Sequence, residues 1–335
     1  MMTPTADNGR MDAVAEVADR YRRFAVAEAP SRSSLYAEWA AGVADDVDVC
    51  HVLARIPASR RQPPLVFAVT RMLGAPEQAF SRWRDWLLEH ADAVVAETSR
   101  RSLQTNEPLR CAALLPALAT IPGPIGFLEV GASAGLCLQP DRYSYRYRRP
   151  DHPDVRLDPP SGMSPVVLDA NITGDAPLRL PEIRWRMGAD LTPMSAGDPD
   201  DRAFLMALVW PGERGRAQRI EAALDLARRE PIEVASGDAS DPDLVPRLLS
   251  GMPDGLTPVV STLGLLPHLP RAARERLIGA IADTGAIWVS LDPLQAHDRW
   301  TAPVDPGAGR FVLHRDGAPL AYADPLGASL EWLTG

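Results

Sequence analysis

The sequence predicts an α/β protein. An all-α region spans residues 1–120, and a seven-stranded, mostly parallel sheet with covering helices spans 121–335. Three observations carry this prediction. The first third repeats apolar residues at three- and four-residue spacing, the period of one helix face. From residue 121, short β-branched runs alternate with helical segments, which is how parallel sheets are connected. Between the first such run and the segment that follows lies a glycine-punctuated turn, Gly126-Phe-Leu-Glu-Val-Gly-Ala-Ser-Ala-Gly-Leu-Cys-Leu138.

In the helical region, Val14, Val17, Ala18, Tyr21, Phe24 and Ala25 line one face. Ser33 and Ser34 precede a helix that turns Leu35, Trp39 and Val43 inward. Pro63 and Pro64 open a third, ending at Gly74, and a fourth runs from about Glu77 to Ala91. Its stripe of Phe80, Trp83 and Trp86 reads as core rather than as a ligand box. The polar run Ser102-Leu-Gln-Thr-Asn-Glu-Pro-Leu-Arg-Cys111 has two readings. Thr105 or Asn106 caps the next helix, with Glu107 in its first turn. Alternatively, Gln104, Asn106, Glu107 and Arg110 are delivered to the mouth of a site.

Composition narrows the function. The chain has 335 residues, a net charge of −9, 46% apolar and 24% charged residues. This is a globular balance, and the acidity disfavours nucleic acid as a partner. There is no lysine, so neither a lysine Schiff base nor a P-loop lysine is available. The three cysteines (Cys50, Cys111, Cys137) and six histidines are scattered without metal-ligand spacing, and a cytoplasmic setting is expected. No signal peptide is visible. The uncharged stretch Cys111–Leu128 is divided by Pro116, Pro122, Gly123, Pro124 and Gly126, so no membrane span is expected.

The turn itself resembles motif I of the class I S-adenosylmethionine-dependent methyltransferases, with Ser133 in place of the middle glycine. A buried strand from Phe127 to Val130 ends beside Glu129. Gly131 permits a close approach, Ala132, Ser133 and Ala134 keep the turn open, and a helix is expected from about Ala134, passing through Gly135. Two later stretches fit in order. Ile183–Leu191 reads as a second strand ending in Asp190, a carboxylate suited to ribose hydroxyls. Pro231–Ala239 reads as a third strand followed by Gly237-Asp-Ala239, similar to the loop whose aspartate meets the adenine amine. Val259 to Thr262 gives a fourth strand with His268 in its loop, and Gly285–Asp292 a fifth. Asp316-Gly317 joins a closing hairpin. The stretch 141–181, with alternating Tyr143, Tyr145 and Tyr147 and many prolines, reads as an insertion that caps the substrate. Asp158-Pro-Pro-Ser161 is similar to an amino-group methyltransferase signature but lies in the wrong place. His297, Asp298 and Asp292 form the densest C-terminal polar group.

Most of the chain also resembles one bacterial family, catalogued as domain of unknown function 2332. The resembling stretches are Arg61-Gln-Pro63, Gln104-Thr-Asn-Glu107, Arg110–Pro116, Leu128–Leu136, Asp141-Arg-Tyr143, Gly188–Pro193 and Ala207–Pro211. Cys137 stands where asparagine is common, and Ser261-Thr262 where a His-Thr pair is common. Together the resemblances imply a Rossmann-like methyltransferase sheet behind a helical region that serves as a lid or a homodimer surface. The expected ligand is S-adenosylmethionine, with S-adenosylhomocysteine as product, transferring to a small-molecule acceptor. The expected cofactor residues are Glu129, Gly131, Ala132, Ser133, Gly135, Asp190, Gly237, Asp238, Ala239 and Thr262. The acceptor would meet Gln104, Asn106 and Arg110, with Glu107, Tyr143 and His268 in the chemistry. The alternatives are a nucleoside-binding protein of this fold without methyl transfer and, less favoured, a nicotinamide-dependent oxidoreductase.

Overall fold

A computed structural model describes residues 6–150, 152–297, 300, 307 and 309–333, with side chains from residue 11 onward. The first helix, α1 (Ala6–Ala27), buries Val17, Tyr21 and Phe24. Helix α2 (Ser34–Asp45) starts where the Ser33 hydroxyl accepts the Tyr36 N–H at 3.2 Å. Helix α3 (Val47–Leu53) starts where Asp46 accepts the Val49 N–H at 3.0 Å. Helix α4 (Pro63–Met72) opens on proline, as predicted. The helix expected from about Glu77 to Ala91 is α5 (Phe80–Glu89), and a further helix, α6 (Ala91–Arg100), follows after His90.

The chain divides into two compact units, Met1–Thr105 with Asp198–Gln218, and Asn106–Gly197 with Arg219–Gly335. This differs from a boundary at residue 120. Helix α7 (Arg110–Ala119) is buried along its whole length and goes with the sheet. Helix α8 (Pro199–Ala207), capped by Asp198, goes with the helical unit. The core of that unit is an aromatic cluster of Tyr21, Phe24, Tyr36, Trp39, Phe67, Trp83 and Trp210. Trp39 stacks on Trp83 at 5.2 Å, and Phe67 meets Trp83 edge-on at 5.5 Å. Of the stripe, Trp83 is core, and Phe80 and Trp86 pack half-buried against the same cluster.

The second unit is built on one mixed sheet of eleven strands rather than seven. In chain order these are β1 (Ile125–Val130), β2 (Ser144–Arg148), β3 (Val155–Leu157), β4 (Val167–Thr173), β5 (Ile183–Asp190) and β6 (Val234–Ser236). They continue as β7 (Thr257–Leu263), β8 (Ile287–Asp292), β9 (Phe311–Arg315), β10 (Ala318–Ala323) and β11 (Ser329–Trp332). Their spatial order is β3-β2-β4-β11-β10-β9-β8-β7-β1-β5-β6. The stretch from β6 to β8 is parallel throughout, with β1 between β5 and β7 and buried at every residue. Helices α9 (Arg216–Arg229), α10 (Leu244–Leu249) and α11 (Arg271–Asp283) lie between its strands in sequence. Strands β9 and β10 form the predicted hairpin, with Asp316 and Gly317 both at positive φ.

The extra strands correct two expectations. Residues 141–181 do not cap a site. They supply β2, β3 and β4, which extend the far end of the sheet beyond β11. The alternating tyrosines explain why. Tyr143, Tyr145 and Tyr147 are all buried, and their hydroxyls donate to the carbonyls of Leu136, Pro140 and Ala112. Asp158, at the end of β3, accepts from Ser144 and Arg146 of β2, a structural role for the misplaced Asp-Pro-Pro-Ser run. No α-helix follows the glycine turn either: Leu136–Leu138 form a single 3-10 turn. Gly135 at φ 70 precedes it and Pro140 follows, and Pro140 biases Gln139 away from helical backbone.

Phe67→Ala should lower the stability of the helical unit by about 3–5 kcal/mol, read by chemical denaturation followed through tryptophan fluorescence. A loss below about 1 kcal/mol would mean that this cluster does not hold the unit together.

Candidate functional site

The glycine turn joins the end of β1 to the end of β5, and its backbone donors are all engaged. The N–H groups of Gly131 and Ala132 both reach the Ala189 carbonyl, at 2.8 and 3.0 Å. The Ser133 N–H donates to Asp190 Oδ2 at 2.8 Å, and the Ala134 N–H to Asn106 Oδ1 at 3.0 Å. The Gly135 N–H closes on the Ala132 carbonyl at 2.7 Å. Asn106 also donates from Nδ2 to the Ser133 hydroxyl. Gly131 lies at φ 84, and a Cβ there would stand 3.1 Å from Leu265. The turn is thus a closed, buried corner, not an open cradle of N–H groups.

Asn106 does not cap α7, and neither does Thr105, since the N-cap position is Leu109 with no side-chain cap. Gln104 is half-buried and belongs to the helical unit. Glu107 is fully buried. Its Oε1 accepts the Leu109 N–H at 3.0 Å and the Arg219 Nε–H at 2.8 Å, an ion pair inside the second unit. Arg110 is also buried. It donates from Nε to the Pro325 carbonyl at 3.0 Å and from Nη1 to the Leu263 carbonyl at 2.7 Å. Both side chains hold chain segments together. Tyr143, expected in the chemistry, is buried, and its hydroxyl is engaged by Leu136. Burial raises its pKa well above the ordinary value.

Glu129 is 3% exposed and its Oε2 has no partner. Burial pushes its pKa up to about 8, with the Arg110 charge opposing and Asp190 adding to the rise. Across the β1–β7 ladder its register partner is Ser261, whose hydroxyl is likewise buried and unpartnered. Asp292, at the end of β8, accepts the Leu266 N–H at 3.2 Å, and burial raises its pKa well above the carboxylate range. Thr262 is buried and accepts the Trp288 indole N–H at 3.1 Å. Asp298, named with His297 and Asp292 as a polar group, lies outside the described residues.

The accessible groups stand at the C-terminal edge of the parallel strands. Asp190 ends β5, and its carbonyl accepts the Gly237 N–H at 2.9 Å, which draws the ends of β5 and β6 together. Asp238 is exposed and its Oδ1 accepts the Ser240 N–H at 2.7 Å. That bond holds its carboxyl below the usual range. Ala239 is buried beside it. His268 follows β7 with its ring exposed, and the surrounding protein mass and the Arg110 charge lower its pKa, which leaves it neutral at pH 7. The structure therefore brings Gly131, Ala132, Ser133, Gly135, Asp190, Gly237, Asp238 and Ala239 to one edge, and buries Glu107, Arg110, Glu129, Tyr143 and Thr262 behind it.

Two residues were missed in the sequence. Arg219 is the partner of Glu107, and Gln139 is a wholly buried side chain with no partner for its amide. Neither carries a sequence signal beyond the helix around Arg219 and the proline after Gln139. Among the described residues, no cluster could hold a metal ion, and no helix is long and apolar enough to cross a membrane.

A family model described as an uncharacterized protein conserved in bacteria (DUF2332) matches residues 18–332. No curated protein matches the chain.

The raised Glu129 pKa makes a signed prediction. A folded-state pKa above the unfolded value of about 4.5 means that the folded protein holds a proton the unfolded chain has released. Glu129 therefore costs stability increasingly from about pH 4.5 to about pH 8. Glu129→Gln should raise the thermal midpoint at pH 8 and change it little at pH 5. Equal shifts at the two pH values would refute a neutral buried carboxyl.

Proposed function

The chain belongs to this bacterial family, and we propose that its second unit binds S-adenosylmethionine and transfers the methyl group to a small molecule, releasing S-adenosylhomocysteine. The observation that carries the reading is the parallel order β6-β5-β1-β7-β8, with carboxylates at the ends of the strands beside the glycine turn. Its five strands are the first to the fifth that the class I methyltransferase resemblance leads one to expect. Strands β5 and β6 lie on one side of β1, and β7 and β8 on the other, so the chain crosses β1 between β6 and β7. Open α/β sheets bind ligands at the C-terminal ends of strands flanking such a reversal.

The residues suit this ligand in part. S-adenosylmethionine carries no phosphate, so it does not need the free N–H groups that the turn lacks. Its ribose hydroxyls and adenine amine need acceptors, and Asp190 and Asp238 provide carboxylates at the edge. The absence of a helix after the turn removes a dipole contribution, so side chains and shape carry the binding.

When bound, the ligand supplies an electrophilic methyl group on sulfur. Alignment with the acceptor then accounts for much of the rate. In this reading His268, neutral at pH 7, takes a proton from an acceptor hydroxyl or amine.

One observation favours binding without transfer. Glu107 and Tyr143, expected to work with His268, are buried and engaged, which leaves a single accessible base among them.

Titration calorimetry with S-adenosylmethionine and S-adenosylhomocysteine, with NAD as control, tests the reading. Micromolar binding of the first two is expected. Asp238→Ala should weaken it at least 10-fold without moving the thermal midpoint, because Asp238 is exposed and its carboxylate accepts a local hydrogen bond from the Ser240 N–H. Binding without transfer across an acceptor screen would favour the second reading, and no binding would remove both.

A further inference from the structure

A cavity of about 330 Å³ lies in the second unit. Its wall comes from Ala134 of the turn, Gln139, the segment Pro193–Gly197, the end of α9, and the residues leading into β6. Neither Asp190 nor Asp238 lines it. The volume falls within the range of small-molecule pockets. Most of the wall is apolar or small, including Met194, Ile232 and Val234, and Arg228 brings an exposed guanidinium to it.

Gln139 stands out on this wall. It is 0% exposed, and neither its amide nitrogen nor its amide oxygen has a hydrogen-bond partner. Buried polar groups are nearly always satisfied, and an unmatched carboxamide is costly to keep. Leucine or methionine would fill the same volume without that cost. Polarity retained here, beside a cavity, calls for a ligand that completes the pairing. A carboxamide is particular in what it completes: one edge offers an N–H donor beside an oxygen acceptor. The matching group has an acceptor beside a donor, as on a nucleobase edge or a second carboxamide.

We propose that this cavity binds a planar ring bearing adjacent hydrogen-bond donor and acceptor groups, and that the Gln139 carboxamide, buried directly behind the wall, turns to pair with the edge of that ring. Met194 and Ile232 contribute apolar contact, and Arg228 takes an anionic substituent where there is one. The site does not rest on the S-adenosylmethionine reading, since the residues are different. It is nevertheless tied to the turn. The Met194 N–H donates to the Ser133 carbonyl at 3.1 Å, and Ala134 is both part of the turn and part of the wall.

Ligand-observed NMR on the full chain, with adenine, uracil and nicotinamide as separate probes, tests the proposal. The first two represent a nucleobase source and the third a carboxamide source. At least one should bind saturably, with binding weakened 10-fold or more in Gln139→Leu. That variant should keep or raise the thermal midpoint, because it removes an unmatched polar group. Ile232→Trp, which fills the cavity from a half-buried position, should abolish binding and serves if Gln139→Leu does not fold. Asp238→Ala should leave uracil and nicotinamide binding unchanged, which separates this site from the acidic edge. Binding of none of the probes, or binding unchanged in Gln139→Leu or in Ile232→Trp, would overturn the proposal.

Discussion

The second unit depends on how one buried corner satisfies its backbone. The N–H groups from Gly131 to Gly135 lie where water does not reach most of them, and each must find an acceptor. Three sources supply the acceptors outside the turn itself: the Ala189 carbonyl, the Asp190 carboxylate and the Asn106 carboxamide. Ala189 and Asp190 end β5, and Asn106 precedes α7. The end of β1 is thereby fastened to the neighbouring strand and to the segment that leads into the buried helix. A free phosphate-type cradle and a closed corner are alternatives for the same glycine pattern, and this chain builds the closed one.

Behind that corner the sheet carries polarity that is not paired. Glu129 and Ser261 stand side by side on β1 and β7, each with an unpartnered oxygen. Arg110 is near enough to oppose the rise in the Glu129 pKa, yet the hydrogen bonds described for its guanidinium go to the Leu263 and Pro325 carbonyls. The result is a carboxyl kept largely neutral at pH 7 by burial, at the position where the two halves of the parallel sheet diverge. Glu107 answers the same problem differently. It stays fully buried, with Arg219 and a backbone N–H on one oxygen. Burial of a carboxylate is tolerable when it is paired and hydrogen-bonded, and otherwise the proton is retained.

The sequence made some of this legible and hid the rest for physical reasons. Local signals held: Ser33 as a cap, Pro63 at a helix start, the aromatic core stripe, the Asp316-Gly317 hairpin, and the β1 strand and turn. Each depends on residues within one turn or one ladder. The failures are about where segments go. Alternation at Tyr143–Tyr147 said strand, but not that the strand would pair with β3 and β4 at the far end of the sheet while the three tyrosine hydroxyls bond carbonyls outside it. Asp190 and Asp238 were readable as strand-end carboxylates. That Glu107, Arg110 and Tyr143 would be buried was not, because the same polar residue serves a site or a carbonyl depending on long-range packing. Gln139 had no pattern at all. An unpartnered amide is a property of its surroundings, and nothing in the adjacent residues announces it.

The helix expected after the turn failed on a signal that was present. Pro140 follows Gly135 so closely that only one 3-10 turn fits between them. The same argument explains Ser133, which stands where the methyltransferase pattern has a glycine. Its φ of 52 is left-handed, which costs a non-glycine residue about 1–2 kcal/mol. A glycine would avoid that cost but would lose the hydroxyl. Here the hydroxyl accepts from Asn106, while the Ser133 N–H holds Asp190 and its carbonyl accepts Met194. A hydrogen bond of this kind returns about 0.5–1.5 kcal/mol, so the strain and the bond are of similar size. Ser133 thus joins the acidic edge on one side to the cavity wall on the other. A glycine would make the same backbone bonds to Asp190 and Met194, and the serine hydroxyl adds the bond from Asn106 that fastens the corner to the segment before α7.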